Sequence, residues 1–359
     1  MMVDDARRAG ADDDDDIFVY MGSNQRVPDD VRRARIHKSV KIVQARAFKD
    51  RRQLIYVEFH DGIEIIEEEA FSGCPLRGGI KLLGVKIIKE WAFRDCNDLT
   101  DVEFGDKLET IEFGAFIFCY SLKNIKLPSV RTIGFRAFAG CDELFDVEFG
   151  EALRTLEGEA FSSCFKLKRI ALPLKDYMIE DNVFLFCPKL TTVDLVGGIH
   201  KTVASLHDES WRNEMNNEIN RINQTLPTVE QDQSLPTIES IKTAVIQQWM
   251  ESVIDRLDHY KAEHKALLKE ATTLLELALW KTKLGDNVKD EKVAMEMERL
   301  TARKKNCVTS CARKVIKNVL RVVEVRTRRG GRERARKELS VTSGADVVIK
   351  NVLPFLKLE

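Results

Sequence analysis

The chain has 359 residues, with 57 Lys or Arg against 58 Asp or Glu, so its formal net charge is −1. This balance excludes an overall electrostatic attraction to nucleic acid or to an anionic membrane. Apolar residues make up 44% of the sequence, which is enough for a core. No uncharged apolar run reaches the roughly 18 residues of a membrane-spanning helix. The length predicts two domains or one extended architecture.

Residues 1–16 carry seven Asp and two Arg, which predicts a disordered acidic tail. The tail lacks the apolar segment of a secretory signal, so we expect an intracellular, cytoplasmic protein. Structural disulfides are rare in that compartment. The cysteines therefore need another explanation.

The next part of the chain is an internal repeat with a period of 22 or 23 residues. An anchor Phe returns in seven copies, from Phe48 to Phe184, and a Cys follows it by three residues in all copies but the first, which has Arg51. The predicted structural core consists of these pairs: Phe71 and Cys74, Phe93 and Cys96, Phe116 and Cys119, Phe138 and Cys141, Phe161 and Cys164, Phe184 and Cys187.

Each copy contains one segment of alternating polarity, such as Val57-Glu58-Phe59, which predicts a short strand with one buried face. In the second copy Ile66, Ala70, Phe71 and Cys74 have the spacing of one face of a short helical turn. A single strand and turn cannot bury their own apolar face, so the copies must stack. The prediction is an α/β solenoid with a parallel sheet, within a domain that covers residues 17–204 and includes an N-terminal cap.

The motif AFxxCxxLxxVxF at this period resembles the BspA-type leucine-rich repeat, over roughly residues 31–204. The resemblance implies a parallel sheet on the concave side of a superhelix. It also implies a protein-binding scaffold without catalytic residues.

Two rows of residues on the predicted concave face are candidates for binding. The residues between the two buried strand positions alternate in charge along Glu58, Lys81, Glu103, Lys126 and Glu148. We interpret this row as mutual neutralisation rather than a ligand stripe, because the charges are already paired. The neighbouring row is less balanced, and its candidate protein-binding residues are Tyr56, Asp101, Asn124, Asp146 and Arg169.

Residues 205–359 form the predicted C-terminal domain, an all-α hairpin or bundle of long helices. Trp211, Met215, Ile219 and Ile222 follow helical spacing, and a second apolar stripe begins at Ile241. Between them lies a polar linker with two prolines. The pattern favours an intramolecular bundle over a coiled coil, because no strict heptad is kept. The segments HYKAEHKALLKEATTLLELALWK and SGADVVIKNVLPFLKL resemble extensions of leucine-rich repeat proteins in single-celled algae.

The C-terminal part also contains a basic segment, residues 299–338, with fifteen Lys or Arg and three Glu. Its linker, residues 321–338, could act as a nuclear-import signal or nucleic-acid patch, but no aromatic residues interleave for base stacking. Cys307 and Cys311 are spaced as a metal pair on a helix. Further ligands are not apparent in the sequence, so small apolar packing is favoured over zinc.

The sequence shows none of the common catalytic motifs, such as GxSxG, HExxH or a Walker loop. We therefore predict a non-enzymatic scaffold with no cofactor, metal or membrane partner, which binds another protein through its concave face. Two alternatives stay open. One is a nuclear or nucleic-acid-associated factor acting through residues 299–338, and the other is a helical assembly module that forms homo-oligomers.

Overall fold

A computed structural model describes residues 17–23, 25–206, 209–226 and 237–284. Within these ranges the side chains of residues 200, 237–240 and 270–284 are not described. The predicted acidic tail, the basic segment and the Cys307–Cys311 pair lie outside the described residues. No helix in the described ranges combines the length and the apolar character needed to cross a membrane.

Within the described residues, fifteen short strands precede three helices. In chain order the strands are β1 (Ile17–Tyr20), β2 (Arg33–Ile36), β3 (Ile42–Val43), β4 (Tyr56–Glu58), β5 (Ile65–Ile66), β6 (Gly78–Leu82), β7 (Ile87–Ile88), β8 (Leu99–Phe104), β9 (Thr110–Ile111), β10 (Asn124–Leu127), β11 (Thr132–Ile133), β12 (Asp146–Phe149), β13 (Thr155–Leu156), β14 (Arg169–Leu172) and β15 (Thr192–Leu195). The helices are α1 (Gly198–Val203), α2 (Glu209–Thr225) and α3 (Thr237–Leu284).

The strands form parallel sheets along a β-solenoid, as the repeat predicts. The long-strand sheet contains β6, β8, β10, β12, β14 and β15, and the short-strand sheet contains β3, β5, β7, β9, β11 and β13. Strands β1, β2 and β4 make a separate N-terminal sheet. Burial alternates strictly along β10, where Ile125 and Leu127 are buried while Asn124 and Lys126 are exposed. Each coil therefore buries one face of its strand against its neighbours.

The turn segments differ in detail from the expected helical turn. From Ala70 to Cys74, the backbone amides alternate between two kinds of acceptor. The amides of Ala70, Ser72 and Cys74 donate to carbonyls of their own coil, those of Glu67, Glu69 and Phe71. The amides of Phe71 and Gly73 donate to carbonyls of the next coil, those of Ala92 and Arg94. Glu69 and Gly73 have positive φ angles of 52° and 74°. These left-handed residues turn every second amide towards the neighbouring coil, so the segment becomes consecutive β-turns instead of an α-helix.

The core is a file of stacked rings beside a file of thiols. Consecutive anchor rings from Phe48 to Phe161 have centroids 4.9–5.3 Å apart, nearly parallel, and all are fully buried. Tyr20 packs on Phe48 at 5.1 Å and covers the first ring of the file. The spacing matches the separation of adjacent strands, so the period of the sequence directly sets the aromatic contact.

The thiols also act as hydrogen-bond donors. Sγ of Cys74, Cys96, Cys119, Cys141, Cys164 and Cys187 lies 2.9–3.3 Å from the carbonyl oxygen of the anchor Phe in the preceding coil. In the first copy, Arg51 replaces Cys and its Nε donates to the Val27 carbonyl at 3.0 Å. Burial raises the pKa of Cys74 to about 12 and raises the pKa of Cys164 well above its usual range. These thiols are packing groups that also satisfy backbone carbonyls.

The described chain falls into two compact units. Among the described residues, the first contains the solenoid and residues 220–254, and the second contains residues 199–219 and 255–284. In the second unit α2 and α3 run antiparallel: Trp211 stacks on Tyr260 at 5.1 Å, and Arg256 approaches Glu218 at 3.8 Å. Of the C-terminal helices predicted from the sequence, the structure shows α2 and α3, and α3 has 48 residues. Residues 285–359 of the predicted helical domain lie outside the described residues.

Candidate binding surface

Four of the five predicted binding residues lie in one row on the outer, solvent-facing side of the long-strand sheet. Asp101 pairs in register with Asn124, Asn124 with Asp146, and Asp146 with Arg169. Asp101 and Asn124 are exposed, and Asp146 and Arg169 are half-buried. We call these four residues the polar row.

Tyr56 is not part of the polar row. It lies on β4 in the N-terminal sheet, opposite Arg33, whose guanidinium sits 5.5 Å from the centre of the Tyr56 ring. The two sheets separate at the second copy, where Gly78 has a φ of 75° and the β6–β8 register shifts between Gly78 and Gly79. The structure therefore does not bring Tyr56 together with the other candidates.

Arg169 is occupied by two carboxylates of its own face. Its Nη1 lies 2.9 Å from Asp146 Oδ1, and its Nε lies 2.7 Å from Asp194 Oδ2. Partial burial opposes the charged form, but the hydrogen bonds to Asp194 and Asp146 outweigh it and raise the pKa of Arg169. The exposed end of the polar row is consequently the pair Asp101 and Asn124, where the Asp101 carboxylate also accepts a hydrogen bond from Thr100 at 2.7 Å.

The alternating charges form ion pairs beside the polar row. Lys81 lies 2.9 Å from Glu103 across β6 and β8, and Lys126 lies 3.4 Å from Glu148 across β10 and β12. Glu58 pairs instead with Arg35 at 2.6 Å within the N-terminal sheet. Exposed pairs of this kind contribute little to stability. They do neutralise the centre of the outer face, as the alternation predicts.

The last coil of the solenoid is closed by helical residues that sequence reasoning missed. In inner coils the anchor Phe amide donates to the next coil, but the Phe184 amide donates to Thr243 Oγ1 at 3.0 Å. The Val193 amide donates to Asn223 Oδ1 at 2.8 Å, and Gln247 donates to the Ile179 carbonyl at 2.8 Å. Side chains of α2 and α3 thus replace the missing neighbour, which is how solenoids protect a terminal coil.

Lys242 is the centre of this C-terminal cap. It is fully buried, and its Nζ donates to the carbonyls of Cys187, Pro188 and Leu190 at 2.9, 2.8 and 3.0 Å. Ile241, which the sequence placed in the buried stripe of α3, is instead 43% exposed. A lysine at a buried helical position contradicts the apolar pattern, so periodicity alone could not have identified it.

The described residues offer little chemistry for catalysis. Their six cysteines are buried, with pKa values raised by burial where a shift is seen, so thiolate formation is suppressed. Among the residues that the structure describes, no group of three or more His, Cys, Asp and Glu could hold a metal ion. The outer face of the long-strand sheet presents regularly spaced carboxylate, amide and ammonium groups, which are suited to polar contacts.

The coils repeat every 22 or 23 residues, their strands are parallel, Phe rings stack inside, and polar residues line the outer face. This architecture defines a solenoid protein of the leucine-rich repeat class. The family model for the BspA type leucine rich repeat region matches six copies at residues 29–130 and 110–232. These residues span more than half of the chain, and the chain belongs to this family.

Similar solved structures are bacterial leucine-rich repeat proteins. One from T. pallidum, TpLRR, is 23% identical, covers 51% of this chain and 77% of its own, and has a TM-score of 0.35. A leucine rich cell surface protein from Faecalibacterium prausnitzii A2-165 is 21% identical, with a TM-score of 0.31. The match covers 45% of this chain and 59% of that protein, so this chain spans less than two thirds of its length. A protein from Bacteroides ovatus ATCC 8483 is 22% identical over 46% of this chain and 55% of its own, with a TM-score of 0.33.

These likenesses concern the fold alone. No curated protein sequence matches the chain significantly. The resemblance of the C-terminal segments to algal proteins stays a prediction.

Proposed function

We propose that the chain is a non-enzymatic scaffold that binds another protein through the outer face of the long-strand sheet, centred on Asp101 and Asn124. The observation that carries this proposal is the ordered row of polar groups on a rigid parallel sheet, with an exposed carboxylate and amide side by side. Membership of the leucine-rich repeat family supports a role in protein interaction. The buried thiols with raised pKa values support the non-enzymatic part of the proposal.

The size of the face constrains how a partner binds. Six strands at about 4.8 Å spacing extend roughly 24 Å, and four residues along a strand extend roughly 13 Å. The resulting area is near 300 Å², less than half of the roughly 800 Å² that each partner buries in a standard interface. A stable partner must therefore also contact the coil segments beside the sheet.

The test compares three full-length proteins as baits in extract of the source organism. They are the wild type, Asp101→Ala/Asn124→Ala, and the control Gln53→Ala/Asp106→Ala, which removes one exposed amide and one exposed carboxylate elsewhere. We expect a protein that the wild type and the control capture equally and that the Asp101/Asn124 variant loses. Identical captured sets for all three baits would refute the proposal.

Two other predictions remain proposals without support from the described residues. A nuclear or nucleic-acid role through residues 299–338 rests on residues outside the described ranges. Self-association through the helices is a further proposal, for which the antiparallel contact of Trp211 and Tyr260 offers an intramolecular alternative.

A further inference from the structure

Exposed aromatic side chains cluster in three consecutive coils beside the long-strand sheet. Phe118, Tyr120, Phe145 and Phe165 are 37%, 42%, 48% and 48% exposed, and we call these four residues the aromatic edge. Backbone hydrogen bonds join their coils side by side: the Glu143 amide donates to the Tyr120 carbonyl at 3.0 Å, and the Phe145 amide donates to the Lys123 carbonyl at 2.7 Å. Neighbouring coils are about 4.8 Å apart, so the four rings come from three adjacent coils.

Phe118 is held in an unfavourable backbone conformation. Its φ is +61°, in the left-handed region that a bulky residue rarely adopts. The equivalent positions of other copies carry residues that tolerate this region better, namely Asp50, Gly73, Asp95, Gly140 and Ser163, with Phe186 as the second exception. The Phe118 ring lies against Gly140 of the next coil and stays 37% exposed, so part of the ring faces solvent despite the strained backbone.

The neighbouring coil is shaped around that ring. A Cβ on Gly140 would lie 2.6 Å from Cδ1 of Phe118, so the ring covers the glycine. The centres of the Phe118 and Tyr120 rings are 6.0 Å apart. The two side chains therefore form a paired platform with an open outer side.

The aromatic edge is flanked by cations. Phe145 lies in the same row as Lys123 and Lys168, and Lys168 Nζ is 5.8 Å from the centre of the Phe145 ring. Lys123 and Lys168 are exposed, whereas Lys166 is paired with Glu143 at 2.5 Å. Aromatic surface between two ammonium groups is complementary to an apolar anchor with a neighbouring negative charge.

We propose that the aromatic edge is a docking site for an acidic peptide segment of another protein, with an apolar or aromatic anchor placed on Phe145 and its carboxylates near Lys123 and Lys168. This inference rests on the proposed function, because the partner is again a protein. It places the partner on the aromatic edge instead of the polar row, and it specifies an acidic segment. A second copy of the same edge would bring its own lysines against these two and repel them. Glu143 is paired with Lys166, and Asp142 adds a carboxylate to the middle coil, so the positive charge available to a ligand comes from Lys123 and Lys168. Binding of a nucleic acid in place of an acidic peptide is an outcome of the test.

A displayed library of random short peptides, panned against the full chain, tests this proposal. Further baits are the aromatic variant Tyr120→Ala/Phe145→Ala/Phe165→Ala, the charge variant Lys123→Glu/Lys168→Glu, and the control Tyr177→Ala/Phe186→Ala. The control removes two exposed aromatic rings outside the aromatic edge. Enriched peptides are then synthesised with a fluorophore, and their dissociation constants are measured by polarisation.

We expect acidic peptides with one aromatic or leucine anchor, bound at least about tenfold more weakly by the aromatic and charge variants and within about twofold by the control. Failure to enrich peptides over the aromatic variant, or selection of basic peptides, overturns the proposal. So does tighter binding of an oligothymidylate that displaces the peptide. If only Asp101→Ala/Asn124→Ala loses peptide binding, the aromatic edge is not the docking site and the proposed function is supported. If only the aromatic and charge variants lose peptide binding, the aromatic edge is the docking site and the peptide does not use Asp101 and Asn124.

Phe118→Gly provides a second test, in which thermal stability and peptide affinity are expected to change in opposite directions. Glycine adopts the left-handed conformation without steric cost, so we expect the thermal midpoint to stay level or rise while peptide binding weakens. A clearly lower midpoint would show that Phe118 is retained for packing, and the argument from strain would be lost.

Discussion

Lys242→Met tests whether the C-terminal cap stabilises the solenoid. The ammonium group is fully buried and donates to three carbonyls of the last coil, at distances of 2.8–3.0 Å. Methionine has a similar length but no donor, so the carbonyls of Pro188 and Leu190 lose this hydrogen bond. The Cys187 carbonyl keeps the Leu190 amide at 3.2 Å.

The expected magnitude follows from the two carbonyls that lose this donor. Each buried polar group left without its hydrogen bond costs about 1–3 kcal/mol. Removing the ammonium also removes its desolvation cost, which offsets part of the loss. We therefore expect the free energy of unfolding to fall by about 2–4 kcal/mol.

Equilibrium unfolding in urea, followed by circular dichroism, measures this change in the full chain. Lys261→Met is the matched control on the same helix, because Lys261 is exposed and pairs only three residues away with Asp258 at 2.9 Å. Its effect should stay within about 0.5 kcal/mol. If Lys242→Met unfolds at the same urea concentration as the control, the cap does not stabilise the last coil in the way described.

Three further predictions concern the solenoid core and its charges. Cys164→Ala should lower the free energy of unfolding in urea by about 1 kcal/mol, because the thiol is small, and Phe161→Ala should lower it by about 3–5 kcal/mol, because the ring stacks on both neighbouring rings. Equal losses for the two variants would show that the ring stack does not contribute more than the thiol. The hydrogen bond from Lys49 and the contact with Arg46 lower the pKa of Glu69 despite its burial, so its contribution to stability is present above the unfolded pKa and is lost as pH falls through the folded pKa. Glu69→Gln should therefore reduce the loss of stability on acidification in pH-dependent unfolding, and an unchanged slope would argue against it. Gly150→Ala should lower the thermal midpoint strongly, because the new Cβ would lie 1.8 Å from the Pro128 carbonyl oxygen; an unaffected midpoint would show that this contact relaxes.

The repeated core could be predicted from sequence because it follows a strict chemical rule. Each coil after the first has one ring and one Cys at fixed positions, because stacking at strand spacing favours the same residue types each time. The anchor Phe file and the alternation of Lys81 with Glu103 were accessible for that reason. The need for glycine at position 150 is visible only in the structure, through the close Pro128 carbonyl.

The remaining features depend on contacts that periodicity does not encode. The left-handed residues two positions before the anchor include Arg46, Glu69 and Trp91, which do not announce a positive φ as glycine would. Lys242 breaks the apolar rule, and its partners lie more than fifty residues earlier in the chain. The separation of Tyr56 from the polar row accompanies the register shift at Gly78, which the repeat pattern does not show.

The most direct test of the central claim is the affinity of the captured partner for the Asp101→Ala/Asn124→Ala variant, measured by titration calorimetry against the wild type and Gln53→Ala/Asp106→Ala. We predict a dissociation constant at least about tenfold higher for the Asp101/Asn124 variant and unchanged for the control. Equal affinity of all three proteins for the partner would show that the outer face of the long-strand sheet is not where it binds.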